Sequence, residues 1–277
     1  MKNTMQLKSK IKNYAKKNNI SAQSVMQAYI FERVLERISL SDYKNNFILK
    51  GGVLISSIVG IQSRTTMDMD TTFKNYALSQ DTVRKFFSNI CAIELADNFH
   101  FSLLKIEPIR DDDQYGGFRV SLRADYHTIK TPLKIDITTG DSITPKEINY
   151  EYHTIFDNKI IHILAYNIET VLAEKYETIL RRSIFNTRPR DFYDFYILVK
   201  TQSQIINRDI LMKAILSTFS KRHSSELLDK KESILKDIVV DKTMRKRWEK
   251  YSKEYFYADN ISFDDVIEVL NTMEIPR

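Results

Sequence analysis

The chain has 277 residues, 43% of them hydrophobic, and a single cysteine, Cys91. That size supports a substantial core in one large or two small domains, and one cysteine excludes an intramolecular disulfide or a cysteine-cluster metal site. A net charge of +6 suits a nucleic-acid partner, and no apolar run reaches the roughly eighteen residues of a membrane-spanning helix.

In chain order, Ser21 opens a helix whose apolar side is Val25, Met26, Tyr29, Ile30, Leu35 and Ile38, with Glu32, Arg33, Glu36 and Arg37 expected mainly outside. Phe47-Ile48-Leu49 is a short apolar strand ending on Gly51-Gly52, and a helix is expected from Val53 to Val59. Side-chain-free residues there let the backbone approach a ligand, and the N–H groups that open the helix can hold a phosphate. From Arg64 to Phe73 the alternation reads as a strand, with Asp68, Asp70 and Thr72 on one face and Met67, Met69 and Phe73 on the other. A helix is expected from Ser79 to Leu95, a hairpin turn at Asp111 to Gly117, and a half-buried strand carrying Phe118, Val120, Leu122, Ala124 and Tyr126. Leu133 to Ile137 is another period-two strand, with Asp136 opposite its apolar neighbours. Beyond Glu169 glycine and proline almost vanish, and the sequence reads as five or six helices ending at Ser262 to Met273.

Two carboxylates as close as Asp68 and Asp70 repel unless cations sit between them, and oxygen-only ligands suit Mg²⁺ or Mn²⁺. The competing reading is a solvated strand face beside an ordinary glycine loop. Asp136 is the candidate third carboxylate of a two-metal centre, in which a carboxylate can take the proton of an attacking hydroxyl. Lys175 interrupts an apolar helical stripe of Ile168, Val171, Leu172 and Ile179, so it must snorkel, pair with a carboxylate such as Glu174 or Asp191, or meet a phosphate. Asp191 and Asp194 lie three apart at the start of a further helix, where an acid also favours the helix dipole. They stand beside Arg181, Arg182, Arg188 and Arg190, which can steady the aspartates or bind phosphates. In Lys242 to Tyr251, five basic residues alternate with Trp248 and Tyr251; this is either an RNA-binding segment whose aromatics stack on bases or a solvated basic face over a buried Trp248. The five histidines, His100, His127, His153, His162 and His223, show no ligand or triad spacing.

Lys50-Gly51-Gly52, Arg64-x-Thr66-x-Asp68-x-Asp70, Lys134-x-Asp136, Ala173-Glu174-Lys175 and Arg190-Asp191-x-x-Asp194 together resemble the AbiEii-type nucleotidyltransferases, toxins of AbiE-type toxin–antitoxin and phage-defence (abortive infection) systems. The resemblance spans roughly residues 47 to 198. It implies a DNA polymerase β-like α/β (α+β) fold, with a mixed sheet and amino-terminal helices in residues 1–165 and a helical bundle in residues 166–277 that completes the active site. It further implies Asp68, Asp70 and Asp136 as metal ligands for Mg²⁺ or Mn²⁺, and an NTP substrate bound by Gly51, Gly52, Arg64, Thr66, Lys175 and Asp194. Asp191 would belong to the fourth motif needed for activity. Gly51-Gly52 stands where the superfamily usually has Gly-Ser, which shifts phosphate contacts towards backbone N–H groups and basic side chains. The expected partners are an RNA acceptor, the 3′ end of tRNA, and an AbiEi-type antitoxin. The rivals are nucleotidylation of a protein or small molecule, and a non-catalytic nucleic-acid-binding protein. With an amino terminus lacking a signal-peptide core, the chain is expected in the cytoplasm, off any membrane.

Overall fold

The computed structural model describes residues 3–75, 77–109 and 116–272. Residues 111–115 of the turn expected at Asp111 to Gly117, and the last expected helical residue, Met273, lie outside the described residues. The chain divides into two compact units: Met1–Asp141 with Glu147–Ala165, and Ser142–Lys146 with Tyr166–Arg277.

The first unit runs α1 (Thr4–Lys17), α2 (Ala22–Leu40), β1 (Phe47–Lys50), α3 (Gly51–Val59), β2 (Asp68–Phe73), α4 (Gln80–Ala92), β3 (His100–Ile109), β4 (Gly117–Tyr126), β5 (Ile129–Thr139), β6 (Ile148–His153) and β7 (Ile160–Ala165). Ser21 and Ser79 cap α2 and α4, each accepting a backbone N–H three residues on. The strands form one seven-stranded mixed sheet in the order β3-β4-β5-β2-β1-β7-β6. Pairing is parallel between β2 and β5 and between β1 and β7, and antiparallel elsewhere. Phe47 and Phe73 are opposite each other in the register of β1 and β2, and both rings meet Phe86 of α4. The aromatic core thus takes the face of β2 that carries Met69, which leaves Asp68 and Asp70 on the other.

Two expectations change here. β2 begins only at Asp68, so Met67 precedes the alternation; it is 41% exposed while Met69 is fully buried. On α2, Glu32, Arg33 and Arg37 are buried, not outside. The helix is enclosed on more than its apolar stripe, and its buried polar side chains meet partners from other segments. Arg37 donates to both carboxylate oxygens of Asp97 at 2.8 and 3.0 Å, and to the carbonyls of Ile93 and Phe99. Glu32 accepts the Ile155 N–H at 2.7 Å, and Arg33 reaches Glu36 and Asp157. A helical period cannot distinguish a solvated charge from one whose partner comes from a distant segment.

The second unit is helical: α5 (Ile168–Arg182), α6 (Pro189–Gln202), α7 (Arg208–Lys221), α8 (Glu226–Asp229), α9 (Lys231–Val240), α10 (Lys242–Glu254) and α11 (Phe263–Asn271), with 3-10 turns at Ser183–Phe185 and Phe256–Ala258. Among the described residues this makes seven α-helices where five or six were expected, the four-residue α8 being the shortest. Trp248 and Tyr251 of α10 are buried, and the indole N–H donates to the Ile261 carbonyl at 2.9 Å. Neither ring is available to stack on a base; of the basic residues of α10, Lys242, Lys246 and Lys250 are exposed, while Arg245 pairs with Asp264 and Arg247 donates to the carbonyls of Ile184 and Asn186.

Candidate active site

Strand register builds the first cluster. Lys50 of β1 is opposite Asp70 of β2, Asp70 is beside Asp136 of β5, and Asp136 is opposite Arg119 of β4. Residues aligned across a pleated sheet project to the same side. One face therefore carries a lateral row of Lys50, Asp70, Asp136 and Arg119, with Asp68 two residues along from Asp70. Neighbouring strands are about 4.8 Å apart, so the carboxylates repel unless positive charge is placed among them. Arg119 supplies some: its Nε and Nη2 donate to the two oxygens of Asp136 at 2.8 and 2.7 Å. The guanidinium pKa is raised, first by that hydrogen bond, with the fields of Asp68 and Asp70 adding to it, which places all three carboxylates within electrostatic reach of one arginine. Lys50 donates to Asp141 at 2.7 Å, and Asp141 also accepts from Thr138 Oγ1 at 2.9 Å.

The glycine turn is shaped by this row. Gly51 has φ +64°, and a Cβ there would lie 2.2 Å from Asp70 Oδ2; a Cβ on Gly52 would lie 2.8 Å from Thr66 Oγ1 and 3.4 Å from an Arg64 nitrogen. The bare turn makes room for Asp70 and for the Arg64–Thr66 segment as α3 starts against β2. Ser56 of α3 donates to the Arg64 carbonyl at 2.6 Å, and Thr66 Oγ1 to the Asp68 carbonyl at 3.0 Å, which ties the loop before β2 to the helix. Lys50 caps α3 without a side-chain hydrogen bond, so no side chain at that position takes up the first-turn N–H groups.

The second cluster lies within the helical unit. Lys175 of α5 contacts Asp191 Oδ1 at 2.7 Å and Asp194 Oδ2 at 2.8 Å, both on α6, and all three side chains are largely buried. Burial alone would lower the Lys175 pKa; the two aspartates outweigh it and raise the pKa, so the ammonium stays charged. Of the partners weighed for Lys175, Asp191 is used and Glu174 is not, because Glu174 meets Arg222 at 2.9 Å. Arg181 pairs with the buried Glu177 at 2.9 Å, while Arg188 and Arg190 are exposed.

A family model described as nucleotidyl transferase AbiEii toxin, type IV TA system, matches residues 33–269, well over half of the chain. The chain belongs to this AbiEii family. Among solved structures, a candidate nucleotidyltransferase from H. pylori superposes with a TM-score of 0.50 at 15% identity, covering 92% of this chain and 94% of that one. JHP933 from Helicobacter pylori gives 0.48 at 15% identity over 91% and 90%, and an antigenic nucleotidyltransferase-like protein from Paracoccidioides brasiliensis gives 0.41 at 15% over 74% and 94%. No curated protein matches in sequence. At 15% identity the first of these speaks for the nucleotidyltransferase fold alone; family membership is what brings nucleotidyl transfer, a toxin–antitoxin setting, an NTP and an antitoxin partner.

For an AbiEii protein the donor chemistry can be compared with a divalent cation. Asp68 and Asp70 fit it, being adjacent, same-faced, oxygen-only ligands. Asp136 fits only if Arg119 releases it, and among the described residues no group of three His, Cys, Asp or Glu side chains converges closely enough to hold a metal ion. No described helix is long and apolar enough to cross a membrane. Sequence reasoning passed over Arg119 and Asp141 as site residues. Arg119 was visible only as a polar position on β4, and what brings it to the acids is register, which one strand's pattern does not disclose.

Proposed function

We propose that this AbiEii protein is a metal-dependent nucleotidyltransferase that moves a nucleoside monophosphate from an NTP to an RNA acceptor, the 3′ end of tRNA, so arresting translation and growth until an AbiEi-type antitoxin restrains it. The observation that carries the transfer chemistry is the alignment of Asp68, Asp70 and Asp136 on one sheet face beside the Gly51-Gly52 turn. Asp68 and Asp70 would hold Mg²⁺ or Mn²⁺, which when bound neutralises charge on the triphosphate and on the departing pyrophosphate. The first-turn N–H groups of α3, with Arg64 and Thr66 shaping the turn, receive phosphate oxygens at a positive dipole end. The acceptor hydroxyl loses its proton to a carboxylate of the row as its oxygen bonds to the α-phosphorus and the bond to pyrophosphate breaks. Lys175, kept charged by Asp191 and Asp194, binds the triphosphate as a compact point charge. The net charge of +6 agrees with a polyanionic acceptor.

Purified protein and its Asp68→Ala variant, given Mg²⁺, total bacterial RNA and each α-phosphate-labelled NTP in turn, test this reading. Label should enter RNA of tRNA size only with the intact protein, and the variant should lose at least about a thousandfold in rate while melting normally. Label on protein bands instead would reassign the acceptor, and equal transfer by Asp68→Ala would remove Asp68 from the catalytic set.

A further inference from the structure

The carboxylate row already contains a cation of the protein's own. Arg119 has acidic neighbours by register on both sides, Asp136 on β5 and Glu107 on β3. Its guanidinium turns to Asp136 with a two-pronged contact, whereas Glu107 is met by Lys105 at 2.6 Å. Glu107 is 46% exposed and already paired, whereas Asp136 is 17% exposed, so the contact with Asp136 is the less screened of the two. Asp136 also brings the guanidinium next to further negative charge, since Asp70 stands beside Asp136 in the same row.

Exposure adds a second feature. The Asp136 side chain is 17% exposed, but that of Arg119 is 43% exposed, so one partner is fixed in the row while the other reaches it from solvent along a flexible stem. A guanidinium has five donors in a rigid fork that matches a carboxylate, and equally a phosphate. It can therefore leave Asp136 without losing the possibility of a partner.

We propose that Arg119 is a positioning residue, a resident counter-cation of the carboxylate row, which holds Asp136 and is exchanged for a divalent cation. The inference rests on the nucleotidyltransferase reading for the identity of that cation's site. It has a consequence the bare carboxylates do not have: Arg119 competes with the metal for the third ligand, so the free protein binds divalent ions more weakly than its acid count implies. Ligand number and charge set the affinity of an oxygen-ligated cation site. Removing the competitor should therefore tighten binding, and only through Asp136.

Direct Mn²⁺ titration without nucleotide, by calorimetry or electron paramagnetic resonance, tests the exchange on full-length wild type, Arg119→Ala and Arg119→Ala combined with Asp136→Asn. Arg119→Ala should bind Mn²⁺ roughly tenfold more tightly than wild type, and adding Asp136→Asn should erase the gain. An unchanged Kd, no binding by any of the proteins, or a gain that survives Asp136→Asn overturns the proposal. Should Arg119→Ala not fold, Arg119→Gln keeps most of the side-chain bulk without the charge and is read in the same way. Failure here is separable from failure of the proposed function: label entering RNA while Mn²⁺ affinity ignores Arg119 removes only the exchange. Tightened Mn²⁺ binding without any label transfer removes the transferase reading and leaves the counter-cation in place.

Discussion

At the scale of single residues, the site depends on atoms that are absent as much as on those present. Gly51 combines a left-handed backbone with a carboxylate where its Cβ would be, so Gly51→Ala meets two penalties that cannot both relax. Relieving the 2.2 Å approach would displace Asp70, the acid central to the row. The expected result is a loss of about 2 kcal/mol or more in stability, read by denaturant titration, together with loss of transfer. A Gly51→Ala protein with wild-type stability would show that the turn yields easily. Glu32 poses the opposite problem, a carboxyl enclosed in the first unit. Burial pushes its pKa up to about 8, against a lowering by the Ile155 N–H and Arg33. The folded protein thus holds this proton more tightly than the unfolded chain. The stability it contributes is full below the ordinary carboxyl value of 4.5, falls as pH rises, and is lost once pH passes about 8. Glu32→Gln, whose amide oxygen can still accept the Ile155 N–H, should flatten the decline in melting temperature across that window; an unchanged slope would assign the pH dependence to other groups.

At the scale of elements, helices α5 and α6 are joined by a charge where an apolar stripe was expected to be interrupted. Lys175 neutralises two aspartates, one of them fully buried, so its removal takes away the ammonium that both acids meet while leaving the cost of their burial. Lys175→Met should destabilise the protein by about 3–5 kcal/mol, and Asp191→Asn with Asp194→Asn in the same chain should recover a large part of it. Chemical denaturation decides the matter: wild-type stability in the single variant would mean the acids find water or another donor. The comparison also matters for function, because a dead Lys175 variant is informative about nucleotide binding only where the fold survives. The sequence signalled this position through periodicity, since a lysine at the i, i+7 site of an apolar stripe needs a partner. It could not say which acid would answer, and Glu174, next to it in the chain, answers Arg222 instead. The buried charges of α2 escaped for the same reason: Asp97, Ile155 and Asp157 come from segments more than fifty residues away.

At the scale of the whole molecule, β1, β2, β4 and β5 were legible because their apolar runs or period of two were clean, and the motif acids fell on the expected face of β2, whereas β3, β6 and β7 were not picked out one by one. What stayed hidden was the lateral order of the strands, and with it the row that aligns Lys50, Asp70, Asp136 and Arg119. Trp248 was ambiguous because a stripe reports that a ring faces one way, not whether something covers it; here the rings of Tyr251 and Phe263 pack against it and the Ile261 carbonyl accepts its N–H. The chain path carries a further consequence. Residues 142–146 belong with the helical unit although strands β6 and β7 follow them, so the chain changes unit at 141/142, 146/147 and 165/166. Within the helical unit, Thr144 donates its N–H to Thr170 Oγ1 at 3.1 Å and accepts from Asn167 Nδ2 at 2.6 Å, and Ser142 shares a hydroxyl contact of 2.7 Å with Ser217. A fragment ending at residue 165 retains the carboxylate row but strips residues 142–146 of every one of those partners, and it lacks Lys175, Asp191 and Asp194. We expect such a fragment to melt at a lower temperature than the intact chain and to transfer no label to RNA under conditions where the full chain does. Supplying residues 166–277 in trans tests whether the missing groups alone are responsible, since a noncovalent complex that regains transfer would assign the defect to them. A fragment of residues 1–165 that transfers nucleotide unaided would remove the helical unit, and Lys175 with it, from the catalytic machinery.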